Sequence, residues 1–189
     1  MALSATVHSF EVTLNDADRG VHASLDFRVA RHPSETAEYL VTRVLAYCLE
    51  YTEGLNFSKG GLSDPDAPAL SIRDLTGALR SWIEIGTPES ARLHKAAKAA
   101  PRVAIYSHKD VTNLLERLTS EVVHRADKIE IYALEPVFLA AVVARLERRM
   151  RFDLAVSDRQ LYLSTDEETL SGAVTAHGPG VMAFRRDQG

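Results

Sequence analysis

A carboxylate set in an apolar strand, followed by a helix that carries three cations, is the chemical combination this chain offers first. Glu84 lies within Trp82-Ile83-Glu84-Ile85, and Gly86-Thr87-Pro88-Glu89 leads into a segment with Arg92, Lys95 and Lys98. An acid near a strand end can hold a divalent cation beside a phosphate, and a lysine from the next helix can offset charge developing there. The chemistry this suggests is metal-dependent phosphodiester hydrolysis, with Glu84 as ligand and Lys95 as the nearest suitable cation. Thr is a favoured N-cap and Pro a favoured first helical residue, so the helix is expected to start at Thr87-Pro88.

A metal site of this kind wants a second carboxylate. Leu70–Asp74 and Leu79–Ile85 read as hairpin strands around Leu75-Thr76-Gly77-Ala78, and a turn centred between Thr76 and Gly77 places Glu84 opposite Ala69. Directly opposed residues share a face, and an alanine there supplies no ligand. The nearest acids are Asp64, Asp66 and Asp74. Asp66 could fold back beside Glu84, because Pro68 interrupts the strand. Glu35 and Glu38 share one face at the opening of an earlier helix and could project toward the same end of the sheet.

Each group also has a plainer role. Glu35 and Glu38 suit the positive end of a helix dipole, while Arg92, Lys95 and Lys98 suit a solvated helix face. Glu84 is harder to place so simply. In an apolar run it either points away from the buried face or is itself buried and paired.

Other chemistries find no support. The seven histidines (His8, His22, His32, His94, His108, His124, His177) are scattered without metal-ligand spacing. Cys48 falls on the apolar stripe of its helix and reads as a packed thiol. No glycine-rich phosphate loop or nucleophile elbow is present. Arg145, Arg148, Arg149 and Arg151 cluster where a helix is expected to end, favourable to its dipole or available to a phosphate or a partner.

The supporting elements follow from periodicity. Leu3–Leu14 reads as a strand, Asn15–Asp18 as a turn, and Val21, Ala23, Leu25, Phe27 and Val29 alternate with polar residues as a second strand. Ser34 is the expected N-cap of a helix carrying Leu40, Val41, Val44, Leu45, Cys48 and Leu49 and running to about Tyr51. A long irregular loop spans Gly54–Pro68. After the hairpin come a helix to Ala100, a strand at Val103–Tyr106 and a helix at Thr112–Val123. A strand at Lys128–Ala133, a helix at Pro136–Arg149 and strands around Phe152–Val156, Gln160–Leu163 and Leu170–Ala176 complete the chain. The fold class is mixed α/β, a sheet flanked by helices, in one domain over 1–189 with a frayed tail from about Gly178.

With 46% hydrophobic and 25% charged residues the chain can build an ordinary globular core. Its single cysteine excludes an internal disulfide and suits a reducing compartment. No signal segment or membrane-length apolar run appears, so a cytoplasmic protein without membrane attachment is expected. The net charge of −4 gives no global attraction to nucleic acid. A nucleic-acid partner would need a local basic patch, and a protein partner is equally compatible.

Several motifs, in this order, resemble the YaeQ family of bacterial proteins. They are Met1-Ala2-Leu3-Ser4-Ala5-Thr6, Ala30-Arg31-His32-Pro33-Ser34-Glu35-Thr36, Asp74-Leu75-Thr76-Gly77 and Trp82-Ile83-Glu84-Ile85-Gly86-Thr87-Pro88. The resemblance spans essentially the whole chain and implies a fold related to the PD-(D/E)XK nucleases, which use Mg²⁺ or Mn²⁺. It matches Glu84 to the (D/E) acid, Lys95 to a lysine migrated onto the next helix, and Glu35 or Glu38 to a first-helix acid. Gly86 stands where the motif lysine is usual, and the "PD" aspartate position falls at Pro68-Ala69. Glu84 with Asp66 would then be the metal ligands of a nuclease or phosphodiesterase. The alternative is a non-catalytic binding or regulatory protein with a degenerate nuclease-like site.

Overall fold

The computed structural model describes residues 5–58 and 66–178. Asp64, the opening Met1–Ser4 and the tail beyond Gly178 lie outside the described residues. Alternating burial along β1 (Thr6–Asp16) and β2 (Val21–Arg31) makes a long antiparallel hairpin with one face in the core. There follow α1 (Ala37–Leu49), β3 (Leu55–Phe57), β4 (Leu70–Arg73), β5 (Leu79–Ile85), α2 (Ser90–Ala99), β6 (Arg102–Ser107) and α3 (Thr112–Ser120). A short 3₁₀ turn (Ala126–Lys128) precedes β7 (Glu130–Leu134), α4 (Pro136–Ala144), β8 (Arg149–Ser157), β9 (Gln160–Ser164) and β10 (Thr169–His177).

Among the described residues ten strands form one sheet in the order β2-β1-β8-β9-β10-β7-β6-β5-β4-β3. Its middle is β10, whose first half pairs with β9 and whose second half pairs with β7. The sheet curls until its two edges nearly meet: the rings of Phe27 on β2 and Phe57 on β3 are 5.6 Å apart. Tyr47 of α1 fills the seam, 4.6 Å from Phe27 and 4.4 Å from Phe57.

Helices α1 and α4 pack inside this curl. Leu40, Val44 and Leu45 meet Phe10, Val12 and Leu14 of β1 and Phe138 and Leu139 of α4. Burial of each such large side chain contributes about 1.5–3 kcal/mol. Helices α2 and α3 cover the outside of β5–β6–β7, where Leu93, Ala96, Leu114 and Leu118 bury Trp82, Val103 and Ile105. Gly172 of β10 lets α4 approach closely, because a Cβ there would lie 2.2 Å from the Phe138 Cβ.

The mixed α/β class and most element positions match the sequence reading, and the differences have local causes. The first helix is capped by Thr36, which accepts from the Tyr39 N–H at 3.1 Å, rather than by Ser34. Ser34 Oγ is engaged instead by His32 Nδ1. The turn expected at Asn15–Asp18 begins later, because Asn15 and Asp16 continue β1 and Asp16 binds the Arg19 N–H and guanidinium. Within the expected 54–68 loop, Leu55–Phe57 forms β3 by pairing with β4. Helix α2 starts at Ser90, not at Thr87-Pro88, and its N-cap Glu89 makes no side-chain cap bond. Helix α3 stops at Ser120 rather than Val123. Helix α4 stops at Ala144, well before Arg149, because Met150, Phe152, Leu154 and Val156 impose a period of two on β8. The arginine cluster is therefore divided: Arg145 caps α4 and pairs with Glu168, while Arg149 and Arg151 stand on a strand.

Candidate functional site

Strands β5 and β6 run parallel and finish side by side, with Ile85 beside Tyr106. Beyond their carboxyl ends the chain turns away toward α2 and α3, while the approach to α1 crosses from the inner face. A crevice outside the carboxyl ends of parallel strands is where such a sheet can receive a ligand. Here it is a cleft of about 470 Å³ lined by Ser34, Thr36, Tyr39, Ala69, Glu84–Pro88, Arg92, His108 and Lys109. Gly86 makes the exit from β5 with φ +89°, a left-handed conformation that favours glycine.

Glu84 forms part of the cleft wall and is only 4% exposed. It shares a strand face with Trp82, whose indole Nε1 donates to Glu84 Oε1 at 2.5 Å. Arg92, in the first turn of α2, donates to the same oxygen from Nε at 2.7 Å. Its Nη2 reaches the Ala67 carbonyl at 2.7 Å, and its guanidinium carbon lies 5.9 Å from the centre of the Trp82 ring. Burial raises the Glu84 pKa, and the Trp82 and Arg92 bonds oppose that rise without cancelling it.

The pairing at Glu84 is the one expected, although the turn is centred on Thr76, where Arg73 pairs with Leu79. Leu70 pairs with Ile83, and continuing by one residue sets Ala69 beside Glu84, where both line the cleft. A methyl group therefore occupies the place where a second carboxylate would stand. A bulge between Ile72 and Arg73 absorbs the offset nearer the turn.

The other candidates are dispersed. Asp66 is exposed and pairs with Lys95, which holds its carboxyl below the usual range. Neither belongs to the cleft wall; Arg92 is the cation that reaches Glu84. Lys98 is exposed in the last turn of α2. Glu35 precedes the helix cap and is buried against Arg43, whose Nη2 donates to Glu35 Oε2 at 3.0 Å and to the Ala30 carbonyl at 2.8 Å. Glu38 is exposed in the first turn of α1. Asp74 organises the β4–β5 turn, accepting from Thr76, Ala78 and Arg80, and the Thr76 hydroxyl leads in holding its carboxyl down at about 2. Cys48 is fully buried, as its place on the helical stripe implied.

Hard divalent cations take several oxygen ligands, usually with one or two carboxylates from the protein. Among the described residues no three His, Cys, Asp or Glu side chains converge as a metal-binding group. Glu84 is tied to an arginine and its cross-strand neighbour is Ala69, so the residues described here do not fit a Mg²⁺ or Mn²⁺ set.

The cleft gains groups that sequence reasoning did not select. His108 stands edge-on to Tyr39 with ring centres 6.3 Å apart, and burial lowers its pKa toward the neutral imidazole. Burial likewise raises the Tyr39 phenol, keeping its O–H as a donor. Ser34, Thr36 and Lys109 add hydroxyls and a cation around them. The one sequence signal for His108 and Lys109 was position: they directly follow the apolar run of β6, next to the end of β5.

The YaeQ protein family model matches residues 1–174. The chain is 32% identical over 178 residues to YaeQ of Escherichia coli (strain K12), covering 93% of this chain and 97% of that protein. The Salmonella typhi YaeQ is 30% identical over the same length. The crystal structure of the YaeQ protein from Xanthomonas axonopodis pv. citri superposes with a TM-score of 0.83 at 29% identity, covering 93% of this chain and 99% of that one. The Pseudomonas syringae YaeQ structure gives 0.81 at 30% identity, covering 91% and 95%. None of these names states an activity. Among the described residues no helix is long and apolar enough to cross a membrane.

Proposed function

Taking as premise that the chain belongs to the YaeQ family, we propose that it is a phosphodiester-binding protein whose cleft derives from a PD-(D/E)XK-type nuclease site. The observation that carries this reading is the state of Glu84: its Oε1 is held by Trp82 and Arg92, opposite Ala69 rather than a second acid. Such a carboxylate orients a guanidinium. Arg92, Lys109 and the hydroxyls of Ser34 and Thr36 then offer cations and donors to a phosphate, and Tyr39 and His108 offer ring faces and edges to its substituents.

Backbone NMR during titration with a thymidine dinucleotide tests this. The expected result is shifts concentrated at Gly86, His108 and Lys109, weakened in Lys109→Ala. A dinucleotide that leaves those amides unmoved would overturn the reading.

A metal-dependent hydrolase is the second reading; since Glu84 is, among the described residues, the one carboxylate lining the cleft, the substrate phosphate and water would have to supply the remaining metal ligands. It is favoured by a buried acid with a raised pKa at the carboxyl ends of parallel strands, a place where catalytic groups gather. Calorimetric titration of Mg²⁺ and Mn²⁺ into wild type and Glu84→Ala separates the two. Binding by wild type that disappears in the variant supports hydrolysis; no binding by wild type supports recognition without cleavage.

A further inference from the structure

We propose that a trough on the outer face of β1, β2 and β8 binds single-stranded nucleic acid through its phosphates, independently of the cleft. Helices α1 and α4 cover the inner face of these strands, and the outer face carries the exposed half of each alternation. There Arg28, Arg148, Arg149 and Arg151 line a depression of about 720 Å³.

The strand register explains the gathering. Ser9 of β1 lies between Arg28 on one side and Arg149 on the other. With neighbouring strands about 4.8 Å apart, these two arginines are rooted about 10 Å from each other. Arg151 follows Arg149 on the same face, one pleat repeat or about 7 Å along β8. Cations spread over several points suit a repeating anion better than one isolated carboxylate.

Three of these cations are uncommitted. Arg151 is paired with Glu11, but Arg28, Arg148 and Arg149 have no side-chain hydrogen bond or ion pair among the described residues. Four arginines against Glu11 and Asp26 leave the trough positive in a chain whose net charge is −4. A local excess of this kind is the electrostatic footprint a phosphate backbone requires.

The trough is also graded along its length. Asp26, Glu11 and Asp153 occupy the rungs at and beyond Arg151, so anions are repelled there. The uncommitted cations sit toward the other end, with Val7, which is 53% exposed and presents an apolar surface to a base. From Arg28 the chain leads through the end of β2 to Ser34 at the cleft, six residues on. Those six residues span at most about 20 Å, within reach of a short oligonucleotide.

Fluorescence anisotropy with a labelled oligothymidylate of about twelve nucleotides tests the trough. Wild type is expected to bind with log K falling against log salt at a slope of about −2, for three neutralised phosphates on a single strand. Arg28→Ala/Arg149→Ala is expected to weaken binding about tenfold or more and to reduce that slope by about 1.4. Both side chains are exposed, and an unchanged circular dichroism spectrum confirms that the variant folds. Dinucleotide shifts at Gly86 and His108 that persist in this variant would separate the trough from the cleft. No binding by wild type, or binding undiminished in the double variant, would overturn the proposal. So would equal displacement of the oligonucleotide by polyglutamate, which would point to an acidic protein segment instead.

Discussion

Replacing either member of the Glu35–Arg43 pair should cost more than replacing both. The two side chains are 0% and 1% exposed, and Arg43 Nη2 lies 3.0 Å from Glu35 Oε2. Glu35 Oε1 and Arg43 Nε are buried without a hydrogen-bond partner, so neither group has reserves if the other is removed. Arg43→Met strands a carboxylate in the core, and Glu35→Met leaves the guanidinium with the Ala30 carbonyl and the Tyr39 ring but no counter-charge. Each single variant is expected to lose about 3–5 kcal/mol. The double variant removes both charges and sacrifices chiefly the bond to Ala30, for about 1 kcal/mol. Urea unfolding followed by circular dichroism measures the cycle, provided the slope with denaturant stays constant across the four proteins. In a thermal scan the single variants should melt about 10 °C lower. If the losses add, or if Glu35→Met costs less than about 1 kcal/mol, the pair is not the clamp its burial describes. The acid considered from sequence as a catalytic partner would then be free for another role.

Three further outcomes follow from other parts of the molecule. Glu84 has a raised pKa in the folded state, so its contribution to stability is fully present below its ordinary value of 4.5 and falls as pH rises through the raised one. The stability advantage of wild type over Glu84→Gln should therefore be larger at pH 4 than at pH 7, and an advantage that grows with pH would refute this. Gly172→Ala forces a methyl to within 2.2 Å of the Phe138 Cβ and should destabilise by about 1–3 kcal/mol, read as a lowered urea midpoint. The Cys48 thiol is fully buried and burial pushes its pKa up to about 12. It should ignore a thiol reagent such as dithionitrobenzoate in the native protein and react promptly in urea; rapid native labelling would contradict the burial.

The strands with one wet face were readable in the sequence because their burial alternates. Val21 to Val29 needed only periodicity; the register that sets Ala69 against Glu84 also depends on the bulge between Ile72 and Arg73, which periodicity does not reveal. Helix ends were less legible, because several residues competed for each cap. Ser34 and Thr36 are both favoured N-caps, and the choice fell to the one not taken by His32. The β8 start was hidden by an arginine run that suits a helix terminus and an exposed strand face equally. At the cleft, Glu84 stood out in the sequence as an acid among isoleucines, and its burial there was one of the two outcomes that setting implied. The partner it takes did not stand out, because Arg92 and Lys95 stand on the same helix and spacing alone does not tell which of them meets it. Tyr39 and His108 come together across the fold, from α1 and the end of β6, and spacing along the chain carries no trace of that contact.

The parallel pairing of β1 with β8 sets the order in which this protein can acquire its structure. Glu11 and Arg151 face each other across 140 residues of sequence, a loop closure that local contacts cannot replace and that slows folding of the whole. During synthesis the β1–β2 hairpin and α1 are available early, but the edge of β1 waits unpaired until β8 emerges. An open edge of that length invites pairing with other chains. On its outward side Glu11, flanked by polar Ser9, Thr13 and Asn15, guards that interval as a gatekeeper. The arginine trough is assembled only when β8 docks, so any ligand that needs it will recognise molecules that have finished folding and pass over those that have not.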